Sequence, residues 1–170
     1  AYLRSGEPAK AVETLDPLLE SPRPDARTLS LAASAHLLLG DAVTAQALFH
    51  RAAESNPADI HDRTGFAVAR FLGEDPDNGL SALEAVSSDT AATDADLALV
   101  SALVGRRDYD RALKVIDRLQ GKSPGRPEAP HLRAQVMALR GDLPAARTSY
   151  EKALAIDPQF YPSIDGLAAL

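Results

Sequence analysis

A pattern that recurs about every 34 residues constrains this chain more than any other feature. In residues 127–160, the tight turn at Gly141 separates two amphipathic segments, and Ala146, Tyr150 and Ala153 follow it at spacings of four and three. On a helix these three side chains share one face, where the alanines let a second helix come close and the tyrosine fills the space beside them. Such a helix pair cannot cover its own apolar face, so the pattern predicts stacked neighbours.

The same pattern occurs further upstream. Gly6 lies one period before Gly40, and Arg107 lies one period before Gly141. After Gly40 and after Arg107 come a small residue, a large apolar residue, another apolar residue and then a proline. They are Ala45, Phe49, Ala52 and Pro57 after Gly40, and Ala112, Ile116, Leu119 and Pro124 after Arg107. The separation of Gly40 and Arg107 falls one position short of two full periods, which indicates a weaker unit between them.

A period of this length, with turn, triplet and proline at these positions, resembles the tetratricopeptide repeat (TPR) family over essentially the whole chain. The resemblance implies an all-α fold, a right-handed superhelical solenoid of antiparallel helix pairs whose first helices line a concave groove. The chain departs from the family at the fourth position of each unit, where an aromatic residue is expected and Leu29, Arg63, Asp96 and Pro130 stand.

We expect a single solenoid, cut from a longer protein, whose units are approximately 1–25 (partial), 26–59, 60–92, 93–126, 127–160 and 161–170 (partial). The unit at 60–92 is irregular, because residues 73–79 are rich in helix breakers. Its second helix is predicted to be short, about Leu80 to Val86, with Ala82 and Ala85 in the buried positions. We expect this unit to pack least well and to bend the stack.

The composition argues against several classes of protein and of site. The net charge of −6 and the pI near 5.2 argue against a nucleic-acid-binding protein, which usually carries a basic surface. The absence of cysteine excludes disulfides and thiolate metal sites. No run approaches the roughly 20 apolar residues that a membrane-spanning helix needs. No cofactor is expected.

One short motif resembles an enzyme signature. Residues 121–125 match G-x-S-x-G, the nucleophile elbow of hydrolases, which requires a strand before the serine and a helix after it. Here a helix is predicted before Ser123, and Pro124 has no N–H to donate to an oxyanion. We therefore interpret Gly121 as the C-cap of a helix and predict that the chain is not an enzyme.

Histidines and cations could also mark a site. No histidine lies three or four residues from another, which argues against a metal centre. We expect His36 to be packed and neutral, and His61 and His131 to face the groove. A final group, Arg107, Arg111, Lys114 and Arg118, shares one helix face. We interpret that face as a solvated outer surface in which Asp110 pairs with Lys114, in preference to an anion-binding patch.

The residues expected to face the groove are those at positions 2, 5, 6 and 9 of each unit, and protein or peptide partners are expected there. They are Arg27, Ser30, Leu31 and Ser34; His61, Thr64, Gly65 and Val68; Asp94, Leu97, Ala98 and Ser101; and Glu128, His131, Leu132 and Gln135. No lysine or asparagine stands among them, which argues against the Lys/Asn/Arg carboxylate clamp of chaperone-binding TPR domains.

The second half carries a narrower resemblance. Asp108-Tyr109-Asp110-Arg111, Gly141-Asp142-Leu143-Pro144 and Phe160-Tyr161-Pro162-Ser163 look like the TPR lipoproteins of Gram-negative bacteria that accompany exosortase-type (PEP-CTERM) sorting and exopolysaccharide export. This resemblance implies a periplasmic or outer-membrane-associated scaffold. The alternative is a cytoplasmic assembly module that self-associates through exposed terminal helices and has no groove ligand. A glycan-binding surface is a third option, but almost no aromatic residues stand at groove positions.

Overall fold

The computed structural model describes residues 2–89 and 93–170, and this part of the chain forms ten α-helices. They are α1 (Pro8–Leu19), α2 (Ala26–Leu38), α3 (Ala42–Ser55), α4 (Ile60–Leu72), α5 (Pro76–Asp89), α6 (Asp94–Gly105), α7 (Tyr109–Lys122), α8 (Glu128–Leu139), α9 (Leu143–Ile156) and α10 (Tyr161–Ala168). Residues 2–89 and 93–170 contain no β-strand, and the predicted all-α solenoid of helix pairs is confirmed. No described helix is long and apolar enough to cross a bilayer.

The chain divides into two compact units, residues 1–95 and 96–170. In the first unit each helix from α1 to α5 packs on the next, and the two first helices α2 and α4 also touch. In the second unit α7, α8, α9 and α10 pack in sequence, and α8 also touches α10. Contacts between consecutive helices and between alternate ones are those expected of stacked helical hairpins.

The turns between paired helices explain the recurring Gly-Asp dipeptide. Four of the turns that precede a second helix contain a left-handed residue; these residues are Gly6, Gly40, Arg107 and Gly141, with φ of 72°, 82°, 59° and 85°. The next residue caps the second helix: the carboxylates of Asp41, Asp108 and Asp142 each accept a hydrogen bond from a backbone N–H three residues on, at 3.1, 3.3 and 3.1 Å. Glycine ends one helix and aspartate begins the next, because each supplies what that helix end lacks.

The prediction of a long turn and a short second helix at 73–89 is wrong. Helix α5 begins at Pro76 and has 14 residues, as many as α3. Proline suits the first turn of a helix, where no N–H is needed. Asp75 precedes it and accepts hydrogen bonds from Asn78 Nδ2 at 3.0 Å and Arg70 Nε at 3.0 Å. The hydrogen bond from Asn78, and then that from Arg70, hold the pKa of the Asp75 carboxyl below its usual value. The residues interpreted as breakers are therefore helix-start signals.

The buried residues of α5 are also not those predicted. Gly79, Leu83 and Val86 are buried, whereas Ala85 is exposed. A Cβ atom at Gly79 would lie 2.3 Å from the backbone nitrogen of Phe71, so α5 approaches α4 more closely than any side chain would allow. Gly79 thus occupies the small position that alanine holds in the other units. The contact shows that α5 packs directly on α4, and the expectation that this helix pair packs least well stays a prediction.

The four cations of the face that is predicted to be solvated are exposed, but Arg118 also reaches a buried carboxylate on another helix. Asp96, on α6, is fully buried, and its carboxylate accepts hydrogen bonds from Arg118 Nη2 at 3.1 Å and Lys122 Nζ at 2.6 Å. The predicted pairing of Asp110 with Lys114 is replaced by a hydrogen bond from Arg140 Nη1 to Asp110 at 2.9 Å. Arg118 therefore joins two helices, because a buried carboxylate requires charged partners.

Substituting Gly79 by alanine should destabilise the protein by about 1–3 kcal/mol, because the added methyl group must push α5 away from α4. Gly121→Ala is the matched control, since Gly121 lies inside α7 and a Cβ atom there would meet open space. That change should stabilise by about 0.5–1 kcal/mol. Urea unfolding followed by circular dichroism measures both, and equal effects would contradict the close approach.

The buried carboxylate of Asp96 gives a second prediction. The double variant Arg118→Ala/Lys122→Ala should lose roughly 3–5 kcal/mol of unfolding free energy, because it strands a charge in the core. Asp96→Leu removes that charge and should cost much less. The comparison is again made by chemical denaturation; a leucine variant as unstable as the double variant would show that charge compensation is not what matters here.

Candidate partner-binding grooves

The first unit contains a groove of about 790 Å³, which we call the N-terminal groove. Its walls come from the turn before α1 and from α1, α2 and α4. The lining residues are Tyr2, Leu3, Arg4, Ala11, Thr14, Leu15, Arg27, Leu31, Ser34 and His61. Four of them, Arg27, Leu31, Ser34 and His61, are predicted groove residues, and the structure brings these four together.

His61 is held at this groove by the packing of α3 against α4. A Cβ atom at Gly65 would lie 2.3 Å from Cζ of Phe49, so only glycine lets the buried phenyl ring reach α4. The ring of His61 meets that phenyl ring edge-on, with centroids 6.0 Å apart, and its Nε2 lies 3.4 Å from Ser34 Oγ. Gly65 is therefore a core residue, and it lets Phe49 pack against His61 in the groove wall.

Other predicted positions in the first unit do not line this groove. Ser30 is half-buried, and its Oγ donates to the Ala26 carbonyl at 2.8 Å, as Ser34 Oγ does to the Ser30 carbonyl. Thr64 is buried, and Val68 is half-buried. Serine hydroxyls that bond their own helix present mainly their carbon atoms to a neighbour.

The second unit contains a groove of about 430 Å³, which we call the C-terminal groove. Helices α6, α8 and α9 form it. The lining residues are Val100, Ser101, Val104, Leu132, Gln135, Val136, Ala138, Leu139 and Tyr150. Ser101, Leu132 and Gln135 are predicted groove residues, and the lining carries no charged side chain.

Val104 and Leu139 are two of the apolar lining residues that the prediction missed. Each lies about one helical turn beyond the last predicted position, Ser101 in α6 and Gln135 in α8. Residues three or four apart share a helix face, so extending the pattern by one turn would have found them. Leu139 is 57% exposed, which makes it the most accessible apolar side chain of the lining.

His131 lies against the core of the second unit, although it is predicted to face a groove. Its Nδ1 is 3.0 Å from the hydroxyl of the buried Ser163, and its ring contacts those of Tyr150 and Phe160 at centroid distances of 5.5 and 5.4 Å. Burial lowers the pKa of His131 and raises that of Tyr150. The histidine is therefore held neutral as a packing residue between α8 and α10.

The remaining predicted positions of the second half are scattered. Asp94 is exposed at the start of α6, and Leu97 and Ala98 are half-buried on it. Glu128 accepts a hydrogen bond from Arg126 at 2.7 Å. None of these four residues lines either groove.

One smaller prediction is corrected. Gly121 is not a helix C-cap, because α7 continues to Lys122 and Ser123 is its C-cap. His36 is half-buried, and its Nδ1 is 3.1 Å from the carboxylate of Asp41. Hydrogen bonds from Thr44, and to a lesser extent from His36, lower the pKa of Asp41. His36 therefore contributes to the turn between α2 and α3.

Comparison with known proteins decides the family. A model described as tetratricopeptide repeat matches residues 1–60 and 97–159. The chain belongs to the tetratricopeptide repeat family. A search of curated proteins found no significant match for this TPR chain.

Solved structures show the same fold. A TPR protein from Parabacteroides merdae has a TM-score of 0.77 at 17% identity, over 98% of this chain and 66% of that one. MamA has a TM-score of 0.69 at 16% identity, over 93% of both chains. YrrB, described as a TPR protein with an unusual peptide-binding site, has a TM-score of 0.65 at 18% identity, over 96% of this chain and 85% of its own. Proteins with this repeat are generally interaction scaffolds.

The burial of His131 predicts a pH dependence. Its pKa is lowered in the folded state from the ordinary value of 6.5, so the unfolded chain binds a proton first as the pH falls. Stability should be fully present above pH 6.5 and fall below it, toward the folded pKa. The variant His131→Gln should flatten the unfolding free energy between about pH 7 and pH 5.

The variant His50→Gln, at an exposed histidine, controls for the exchange of histidine by glutamine. Asp25, Asp41 and Asp75 also have lowered pKa values, but they change the unfolding free energy only near and below the ordinary aspartate pKa of 3.8. Their effect therefore lies below the pH range of this measurement. A His131→Gln profile as steep as that of the wild type would exclude His131 as the cause.

Proposed function

We propose that this chain is a non-enzymatic scaffold that binds a peptide or a segment of a partner protein in its grooves. The observation that carries the proposal is that residues at predicted groove positions line two concave surfaces, Arg27, Leu31 and His61 in one and Leu132 and Gln135 in the other. Concave, mainly apolar surfaces with a few polar groups are the usual form of a binding site. The peptide-binding site described for YrrB is consistent with this use of the fold.

The C-terminal groove has the chemistry for an apolar side chain on an extended segment. Leu132, Val136 and Leu139 offer carbon surface, and burying it against a partner yields about 25 cal/mol per Å² before the cost of association. Gln135 is exposed and carries both a donor and an acceptor, which suits a peptide backbone. Its place beside the apolar residues allows one segment to use both.

The pathway proposal rests on sequence resemblance alone. We propose a periplasmic or outer-membrane-associated role in exopolysaccharide export or protein sorting, because residues 90–170 resemble the TPR lipoproteins of the PEP-CTERM system. Fractionation of cells that produce the full-length protein tests this proposal, and its recovery only in the cytosolic fraction would end it.

A second candidate function is self-association through α10. Tyr161 is 71% exposed and Ile164 is 39% exposed on that helix, so an apolar face is available to a second copy. Analytical ultracentrifugation separates the two functions. A dimer that Ile164→Asp converts to a monomer, with no peptide bound by either groove, would favour self-association.

Groove binding is tested by selecting peptides from a displayed random library and measuring their affinity by fluorescence anisotropy. The variants Leu31→Asp and Leu139→Asp place a charge in the N-terminal and C-terminal grooves. Because Leu31 and Leu139 are exposed, folding should be kept. Each should weaken its own set of peptides about ten-fold or more.

Matched controls are available on both units. Leu18 is 53% exposed and Leu143 is 46% exposed, and neither lines a groove. Leu18→Asp and Leu143→Asp should leave affinities unchanged. Selection of no peptide, or of peptides that lose affinity only in the controls, would overturn the proposed function.

A further inference from the structure

We infer that the N-terminal groove selects a partner segment in which aspartate or glutamate side chains flank an apolar anchor. The inference rests on the proposed function and specifies its ligand. It is carried by the charge of the lining: Arg4, Arg27 and His61 stand there, and no aspartate or glutamate does. The whole chain has a net charge of −6, so a groove lined by two guanidinium groups and no acid has the opposite charge to the chain.

The three cationic or titratable groups reach the groove from different parts of the chain. Arg4 lies in the turn before α1, Arg27 is on the first turn of α2, and His61 is on the first turn of α4. Residues this far apart in sequence come together only through the packing of the helices. Their convergence on one groove therefore does not follow from a basic stretch of sequence.

Neither guanidinium has a carboxylate partner within residues 2–89 and 93–170, and both are exposed. Arginines that do form ion pairs in those residues include Arg63, Arg70, Arg111, Arg118, Arg126, Arg133 and Arg140. Acids close to these residues in sequence have other roles: Glu7 pairs with Lys10, Asp25 caps α2 through Thr28, and Asp59 caps α4 through the N–H of His61. Asp62, which follows His61, is buried. Arg4 and Arg27 are left available for charges that a ligand supplies.

Apolar side chains complete the ligand description. Leu31 is 39% exposed, and Leu15 and Leu3 are half-buried beside it in the lining. An apolar side chain can be buried against them while neighbouring carboxylates reach the cations. The C-terminal groove has no charged lining residue, so it should be indifferent to ligand charge and serves as an internal comparison.

Exposed ion pairs contribute selectivity and association rate more than affinity, and salt screens them. Three matched peptide sets test this, each with the same leucine and alanine pattern and an amidated C-terminus, with glutamate, glutamine or lysine at the polar positions. We expect the glutamate set to bind the N-terminal groove roughly ten-fold more tightly than the glutamine set at low salt. The preference should shrink as ionic strength rises, and the lysine set should bind most weakly.

The variant Arg4→Gln/Arg27→Gln should abolish the preference for glutamate while keeping the affinity for the glutamine set. The control Arg51→Gln/Arg147→Gln removes two exposed arginines outside both grooves and should leave the preference intact. Leu139→Asp confirms that the preference belongs to the N-terminal groove, because it should not alter it. All variants carry substitutions at exposed positions, and circular dichroism verifies their fold.

The outcomes separate this inference from the proposed function. If peptides bind and Leu31→Asp weakens them, but glutamate and glutamine sets bind alike, the inference fails and the scaffold function stands. If no peptide set binds either groove, both fail. If the wild-type chain instead self-associates in the ultracentrifuge and the double arginine variant is monomeric, the acidic occupant is a second copy of the chain, which also overturns the inference of a partner segment.

Discussion

The helix pairs of this chain depend on the close approach of two backbones at one position near the start of each second helix. Ala45, Gly79, Ala112 and Ala146 hold that position, and all four are buried. The residue four positions later fills the space that the approach leaves. In two units it also shapes a groove, since Phe49 packs against His61 and Tyr150 lines the C-terminal groove. Groove geometry is thus a consequence of core packing, because the same large side chain belongs to both.

Charge is arranged around this packing in two opposite ways. Arg63 in α4 donates to Asp89 in α5 at 3.2 Å, whereas Asp96 in α6 accepts from Lys122 in α7 at 2.6 Å. Arg63 and Asp96 hold the same unit position, where the family usually has an aromatic residue. Asp96 is buried there and requires the cations of α7, whereas Arg63 and Asp89 form a partly exposed pair that contributes little to stability.

The sequence predicted most of the fold and part of the sites. The turn, the three buried residues of the second helix and the proline recur with a fixed period. The fold is predictable from this pattern because it depends only on residues within one helix pair. The sequence predicts a turn at Gly79 because glycine breaks isolated helices, but the absence of a side chain permits a helical contact with Phe71. The acids on its own helix predict local partners for Arg118, whereas its partner, Asp96, comes from another helix.

The sequence by itself determined the family, the helix pairing and the positions from which grooves are built, because periodicity and capping are written in neighbouring residues. Only the tertiary structure decided which of those positions meet. His61 and Arg27 lie far apart in the chain yet line one groove. His131 is also predicted to face a groove, but it packs against Ser163 and Tyr150. Contacts between helices set these environments, and each depends on side chains that no single repeat contains.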